Sequence, residues 1–214
     1  MGSDDATLVA KSRLLDTYSA ADIYDANERV DSLDPAIKPL FRGMRLVGPA
    51  FTVRCAPGDN LAIHRGLAAA APGYVLAIGT SGGQCHSYLG AMICEAAKAR
   101  GVQGILLDGL VRDLDAIGTL GFPVFARGAA HVGATKVNAG DLGIAVVIGN
   151  VTILPGDVLV GDGDGVVRVA QERMNVVLER GPSIKARDSQ IRAALADGFT
   201  TLDFFAQEER ERYD

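Results

Sequence analysis

Residues 104–116 read GILLDGLVRDLDA, and the meaning of this stretch decides the fold. Its first four residues are glycine and aliphatic side chains, with the length and character of a strand buried on both faces. Asp108-Gly109 breaks the run, and VRDLDAIGTLG continues as a short helix that Gly121 closes. The neighbouring segments extend this pattern. Upstream, YVLAIGTSGG (74–83) reads as a buried strand ending in a glycine-rich turn. LGAMICEAAKARG (89–101), entered from Tyr88, reads as a helix closed by Gly101. Downstream, FPVFARG (122–128) is a third strand. This strand–helix–strand–helix–strand rhythm from 74 to 128 predicts a parallel, βαβ-type core.

Outside that core the pattern changes. LVAKSRLLDTYSAADIYDAN (8–27) carries apolar side chains at helical spacing and reads as one helix or two short ones. MRLVGPAFTVRCA (44–56) has the β-branched pattern of strands, with Gly48-Pro49 as a break, and Asp59 or Asn60 could cap a helix through LAIHRGLAAA. LGIAVVIGNVTILPGDVLVGDGDGVVRVA (142–170) alternates short β runs with Gly-Asn, Pro-Gly-Asp and Gly-Asp-Gly turns, which predicts antiparallel hairpins. From about residue 170 the chain is helical, ending in a charged tail. The expected fold is a layered α/β sandwich with a mixed parallel and antiparallel sheet, residues 1–214 forming a single domain.

Composition narrows the function classes. Of 214 residues, 48% are hydrophobic, 22% are charged and 26 are glycine, the profile of a turn-rich globular protein. A net charge of -5, with no run of Lys and Arg, argues against a nucleic-acid partner. The apolar stretches are too short and too broken by Gly and Pro to cross a membrane. Cys55, Cys85 and Cys94 lack zinc-site spacing and read as reduced thiols, so a cytoplasmic location is expected.

In open parallel sheets, ligands bind beyond the carboxyl ends of the strands. Two such ends fall in adjacent units here, TSGGQCHSYLGAM (80–92) and DGLVRD (108–113). If their strands are neighbours, the backbone N–H groups of Gly90, Ala91 and Met92 and the Arg112 guanidinium surround one anion. Arg112 suits a carboxylate, because its planar fork can grip two oxygens at once. Asp113 could hold a divalent cation, since Mg²⁺ is typically bound through one or two carboxylates with waters and substrate completing its shell. Simpler readings stay open: Asp113 favours a helix N-terminus through the macrodipole, and Arg112 could pair with Asp108 or Asp115. PGD (155–157) and GDGDGV (161–166) lack EF-hand spacing and read as turns. GTSGGQ lacks the Walker lysine and the GxGxxG fingerprint.

LLDGLVRDLDAIGTLGFPVFARG, with LGAMICEAAKARGVQG upstream and VTILPGDVLVGDGDGVVRV downstream, resembles the RraA-like family. YSAADIYDA is similar to the family's opening helix, so the resemblance runs from about residue 18 to 170. The family contains class II pyruvate aldolases acting on 4-hydroxy-4-methyl-2-oxoglutarate and the regulator of ribonuclease E activity A. The resemblance implies a metal-dependent lyase that cleaves a small 2-oxo acid through a pyruvate enolate, with oxaloacetate decarboxylation as a related activity. Arg112 would then bind the substrate's carboxylate and keto oxygen, and Asp113 would anchor Mg²⁺ or Mn²⁺. It also implies a homo-oligomer, a trimer or hexamer, in which an acidic residue near the C-terminus of a neighbouring subunit helps; Glu208, Glu209 and Glu211 are the candidates. One departure is plain. The aldolase pattern has an acid after the glycine that precedes the arginine by twenty-two positions; here Ala91 follows Gly90, with Glu95 one helical turn further on. His86 could enter the same cleft in its place as base or ligand, the simpler reading being a histidine that only hydrogen-bonds within its loop. The alternatives are a non-catalytic RraA-like regulator and a metal-dependent enzyme with a diverged substrate, its specificity carried by QCHSY (84–88).

Overall fold

A computed structural model of the protein describes residues 3–206, Gln84 excepted. The first helical pattern resolves into two helices, α1 (Ser3–Arg13) and α2 (Ala20–Ala26), because Ser19 and Asp22 form a reciprocal capping box that starts α2 afresh. The short strand β1 (Lys38–Pro39) and the long strand β2 (Leu46–Arg54) follow, then α3 (Leu61–Ala69) and β3 (Val75–Gly79). Next come β4 (Ser87–Leu89), α4 (Ala91–Ala99), β5 (Gly104–Leu107), β6 (Leu110–Val111), α5 (Leu114–Leu120), β7 (Val124–Ala126) and β8 (Gly128–Ala129). Then β9 (Asp141–Leu142) precedes two hairpins, β10 (Val146–Ile148) with β11 (Val151–Ile153), and β12 (Val158–Asp162) with β13 (Gly165–Val169). The helix α6 (Met174–Ala196) follows.

The main sheet runs β1-β7-β5-β3-β2-β12-β13, with β9 also pairing β2. Its centre, β2-β3-β5-β7, is parallel; β1 and the β12–β13 hairpin are antiparallel to their neighbours. The mixed α/β fold is therefore present, its βαβ units joining β3, β5 and β7 as expected. The sheet also curls until its ends approach each other, and Lys38 Nζ donates to the Asp164 carbonyl at 2.6 Å across the gap.

Successive strand residues alternate between two cores. Leu76, Ile78, Ile105, Leu107 and Val124 pack outward with α3, α4 and α5. Val75, Ala77, Leu106 and Phe125 pack inward with Leu159 and Val166 of the returning hairpin. A third core lies where Val158, Val160, Val167 and Val169 meet α2 and α6. The inner space is narrow: a Cβ on Gly161 would sit 3.0 Å from the Phe125 ring.

Two local expectations change. Gly48-Pro49 is no break, because β2 runs through it. The Ala50 N–H donates to Asp157 O on the β12 side at 2.8 Å, so the nitrogen of Pro49 faces the other edge, where pairing with β3 begins only at Ala50. Tyr88 and Leu89 belong to β4, and the helix starts only at Ala91. As the turn reading of PGD and GDGDGV predicts, Asp157 Oδ2 accepts the Leu154 N–H at 2.7 Å and Asp162 Oδ1 accepts the Asp164 N–H at 3.0 Å. No helix among the described residues is long and apolar enough to cross a membrane.

Asp157 also anchors the hairpin. Its buried carboxylate takes Arg168 Nε at 2.7 Å, and Arg168 Nη1 reaches Asp31 at 2.9 Å. Removing the cation from a buried pair strands the other charge, at a cost of about 3–5 kcal/mol. Arg168→Met is expected to lower the unfolding free energy by about 3 kcal/mol in urea titration; a loss too small to measure would show that the carboxylate is solvated there.

Candidate functional site

Three short strands outside the main sheet build the site. β4, β6 and β8 lie parallel and side by side, with Ser87 opposite Leu110, Leu89 opposite Val111, and Val111 opposite Ala129. Their carboxyl ends therefore emerge in one row: Gly90 before α4, Arg112-Asp113 before α5, and Ala130-His131. Backbone bonds fix the spacing. The Arg112 N–H donates to Leu89 O at 3.0 Å, the Ala130 N–H to Val111 O at 2.8 Å, and the Ser87 N–H to Val132 O at 2.7 Å. Arg112, Asp113, Leu114, Ala129, Ala130 and His131 line an open cleft of about 530 Å³.

Asp113 adopts a left-handed backbone (φ 62°, ψ 41°), a conformation that costs most side chains about 1–2 kcal/mol and that Asp tolerates best after Gly and Asn. This turn brings its carboxylate back onto the start of α4, where Oδ2 accepts the Ala91 N–H at 3.2 Å and stands 3.8 Å from Arg112 Nε. Gly90 is glycine for the same reason: a Cβ there would collide with the Asp113 carboxylate and come within 3.1 Å of Arg112 Cγ. The guanidinium lies along Gly133, where a Cβ would sit 3.2 Å from Nη1. The two side chains are 49% and 46% exposed, so as an ion pair they contribute under about 1 kcal/mol. The left-handed backbone at Asp113 thus holds an exposed pair that contributes little to stability.

Asp108 has a different role from the one considered for it. It pairs with Arg127 and accepts the Gly149 N–H at 2.8 Å, while Arg127 Nη1 reaches Asp34 at 2.8 Å. The Ala36 N–H and then Arg127 hold the Asp34 carboxyl below the usual range. This network ties the carboxyl ends of β5 and β7 to the β10–β11 hairpin and leaves Arg112 to the cleft.

Of the residues singled out from sequence, Gly90, Ala91, Arg112 and Asp113 come together. The Met92 side chain is 77% exposed beside them. His86 turns elsewhere: its ring lies against Gly58, where a Cβ would be 3.3 Å away, and His86 does not line the cleft. Glu95 is exposed on α4. Glu208, Glu209 and Glu211 lie outside the described residues, as does Gln84 of the QCHSY loop. Burial pushes the Cys55 and Cys94 thiols up to about 12, with Asp59 adding to the first and Asp113 and Glu95 to the second; Cys85 is exposed. Among the described residues no three His, Cys, Asp or Glu side chains cluster as a metal cage. The sequence reading missed His131. FPVFARG reads as one strand, whereas Gly128-Ala129 begins a second parallel pairing, and following that third strand end would have led to it.

The loop carrying His131 is fastened at its far end by Asp59. That carboxylate accepts the Thr135 hydroxyl and the Val137 N–H at 2.6 Å each, and caps α3 through the Leu61 N–H at 3.0 Å. Asn60 instead donates through Nδ2 to Tyr88 O at 2.7 Å, bracing β4.

The RraA-like family profile (Aldolase/RraA) matches residues 20–168. The chain is 34% identical over 180 residues to a Halalkalibacterium halodurans protein named "Putative 4-hydroxy-4-methyl-2-oxoglutarate aldolase", which covers 84% of this chain and 86% of that one. An uncharacterized protein from Pseudomonas syringae superposes with a TM-score of 0.79 at 28% identity, over 89% of this chain and 94% of its own. Streptomyces coelicolor RraAS2, described as an unusual member of the RNase ES inhibitor RraA protein family, gives 0.78 at 26% identity, over 86% and 96%.

Burial raises the Asp59 pKa, but the hydrogen bonds from Thr135, Val137, Leu61 and Asn138 outweigh it and hold the value at about 2. A carboxyl depressed on folding stabilises the native state above its unfolded pKa and loses that contribution as pH falls through the folded one. Unfolding free energy is therefore expected to decline between the ordinary aspartate value of 3.8 and about 2. Asp59→Asn should flatten the decline in pH-dependent urea melts; parallel curves for the two proteins would refute the assignment.

Proposed function

This chain belongs to the RraA-like family, and on that premise we propose that it is a divalent-metal-dependent lyase, an aldolase or decarboxylase acting on a small 2-oxo acid. The observation that carries the reading is the joint exposure of Arg112 and Asp113 at the cleft, held there by a left-handed backbone that stability does not explain. Asp113 fits a cation of the Mg²⁺ or Mn²⁺ type. Its carboxylate faces solvent, uses one oxygen on the Ala91 N–H, and among the described residues its Oδ1 accepts no hydrogen bond. One carboxylate with waters and substrate suffices for such an ion. When bound, the metal supplies Lewis-acid stabilisation of the negative oxygen that develops as a carbon–carbon bond beside the keto group breaks.

The chain's own residues do the rest. Arg112 presents its fork to the carboxylate of the 2-oxo acid and orients the keto group toward Asp113. Gly90 keeps the space in which Asp113 sits. The exposed Met92, Leu114 and Val132 leave apolar surface around the cleft, which supports assembly into a closed homo-oligomer, a trimer or hexamer.

A second reading is a non-catalytic regulator. Ala91 favours it, because a carboxylate present in the aldolase pattern is missing, as does the likeness to RraAS2.

Pyruvate release from oxaloacetate, with and without Mg²⁺, separates the two. The wild type is expected to exceed Asp113→Asn, which serves as the baseline for catalysis by free metal. Arg112→Lys should raise KM about tenfold to a hundredfold, the worth of a bidentate charged hydrogen bond. Equal rates for wild type and Asp113→Asn would favour the regulator.

A further inference from the structure

We infer that His131 is the proton carrier of this site, an inference that rests on the lyase reading above. The cleft needs one. Breaking a carbon–carbon bond beside a keto group leaves an enolate whose C3 must gain a proton, and an aldol substrate must also lose the proton of its 4-hydroxyl. Three ionisable side chains among the described residues line the cleft: Arg112, Asp113 and His131. The Arg112 guanidinium offers N–H donors and no acceptor, so it grips an anion rather than taking up a proton. Asp113 already spends Oδ2 on the Ala91 N–H and, among the described residues, is the only carboxylate lining the cleft to hold the cation. Position 91, where the aldolase pattern carries an acid, is Ala91 and can move no proton. His131 is left.

Its placement suits the task. Residue 131 is exposed, yet the backbone on both sides of it is pinned: the Ala130 N–H donates to Val111 O at 2.8 Å, and Val132 O accepts the Ser87 N–H at 2.7 Å and the Ser87 hydroxyl at 3.0 Å. These bonds run to the two strands that deliver Arg112 and Gly90, so the imidazole is carried on the same small sheet as the anion-binding arginine. Among the described residues the ring has no hydrogen-bond partner of its own, which leaves both nitrogens for substrate and solvent. His86, which the sequence suggested for this role, lies against Gly58 instead.

The proton balance closes. In aldol cleavage, neutral His131 takes the 4-hydroxyl proton as the C3–C4 bond breaks; the 4-hydroxyl oxygen becomes the carbonyl of the departing fragment and the bonding pair passes into the pyruvate enolate. The imidazolium then returns that proton to C3, forming the new C–H bond and restoring the neutral ring. In decarboxylation the enolate's proton comes from imidazolium that solvent recharges. Run on pyruvate alone, the final step reversed takes a proton from the C3 methyl group and exchanges it with water.

That exchange is the test. Pyruvate is incubated with Mg²⁺ and protein in D₂O, and loss of the methyl signal is followed by proton NMR, alongside pyruvate release from oxaloacetate. The wild type is expected to exchange. His131→Ala and His131→Gln are expected to exchange at least about 100-fold more slowly, the lower bound for general acid–base catalysis, with melting temperature unchanged. Added imidazole should restore exchange to His131→Ala and not to His131→Gln, whose side chain still fills the place of the ring. Exchange in His131→Ala within about threefold of a wild type that decarboxylates would overturn the role of His131 and leave the lyase reading standing. A wild type that neither releases pyruvate nor exchanges would overturn both.

Discussion

The contact between the Asp113 carboxylate and the first residues of α4 is the constraint around which the site is organised. It requires a left-handed residue at 113, a glycine at 90, and strands β4 and β6 in a register that sets Leu89 opposite Val111. None of these is cheap. Left-handed Asp is strained, a glycine leaves more chain freedom to be lost on folding, and two- or three-residue strands hold little by themselves. The main sheet meets those costs. Its strands are buried on both faces, and the alternation of Val75, Leu76, Ala77 and Ile78 between two cores makes register slippage prohibitive. The small sheet grows out of the same chain crossings, so a rigid core positions a weakly stabilised site.

Charge is divided along the same line. Buried or half-buried ion pairs, Asp108 with Arg127 and Asp157 with Arg168, clamp the hairpins to the core and are satisfied by backbone donors as well. The Arg112–Asp113 pair is instead exposed and long, so its geometry leaves both groups available to ligand. The same two residue types thus clamp half-buried structure in one place and stand exposed at the cleft in another.

The parallel core was legible because βαβ units bury strands on both faces and close helices with glycine, signals that GILLDG, YVLAIG, Gly101 and Gly121 carry locally. The hairpins were legible from their turns. Pro49 misled because local propensity says nothing of which edge of a strand lacks a partner; only the register against β3 and β12 tells. Asp108 misled similarly, since Arg127 and Asp34, its network, are distant in sequence. At the candidate site, Arg112 and Asp113 stood out as a charged pair directly after an apolar strand, although their spacing alone left a helix-capping and an ion-pair reading open. His131 was hidden by a tertiary fact, the two-residue strand at Gly128-Ala129, which no periodicity in so short a run can reveal. His86, next to a cysteine in a glycine-rich loop, looked more eligible and turns toward Gly58.

The lyase reading requires Asp113 and Arg112 to hold a cation and a 2-oxo acid side by side. Crystals of the full chain soaked with Mn²⁺ and oxalate, a mimic of the pyruvate enolate, test it at the manganese absorption edge. The prediction is an anomalous peak against an Asp113 carboxylate oxygen, with the oxalate gripped by the Arg112 guanidinium. Manganese bound elsewhere with Asp113 bare, or no manganese under conditions that saturate divalent-metal sites, would contradict it.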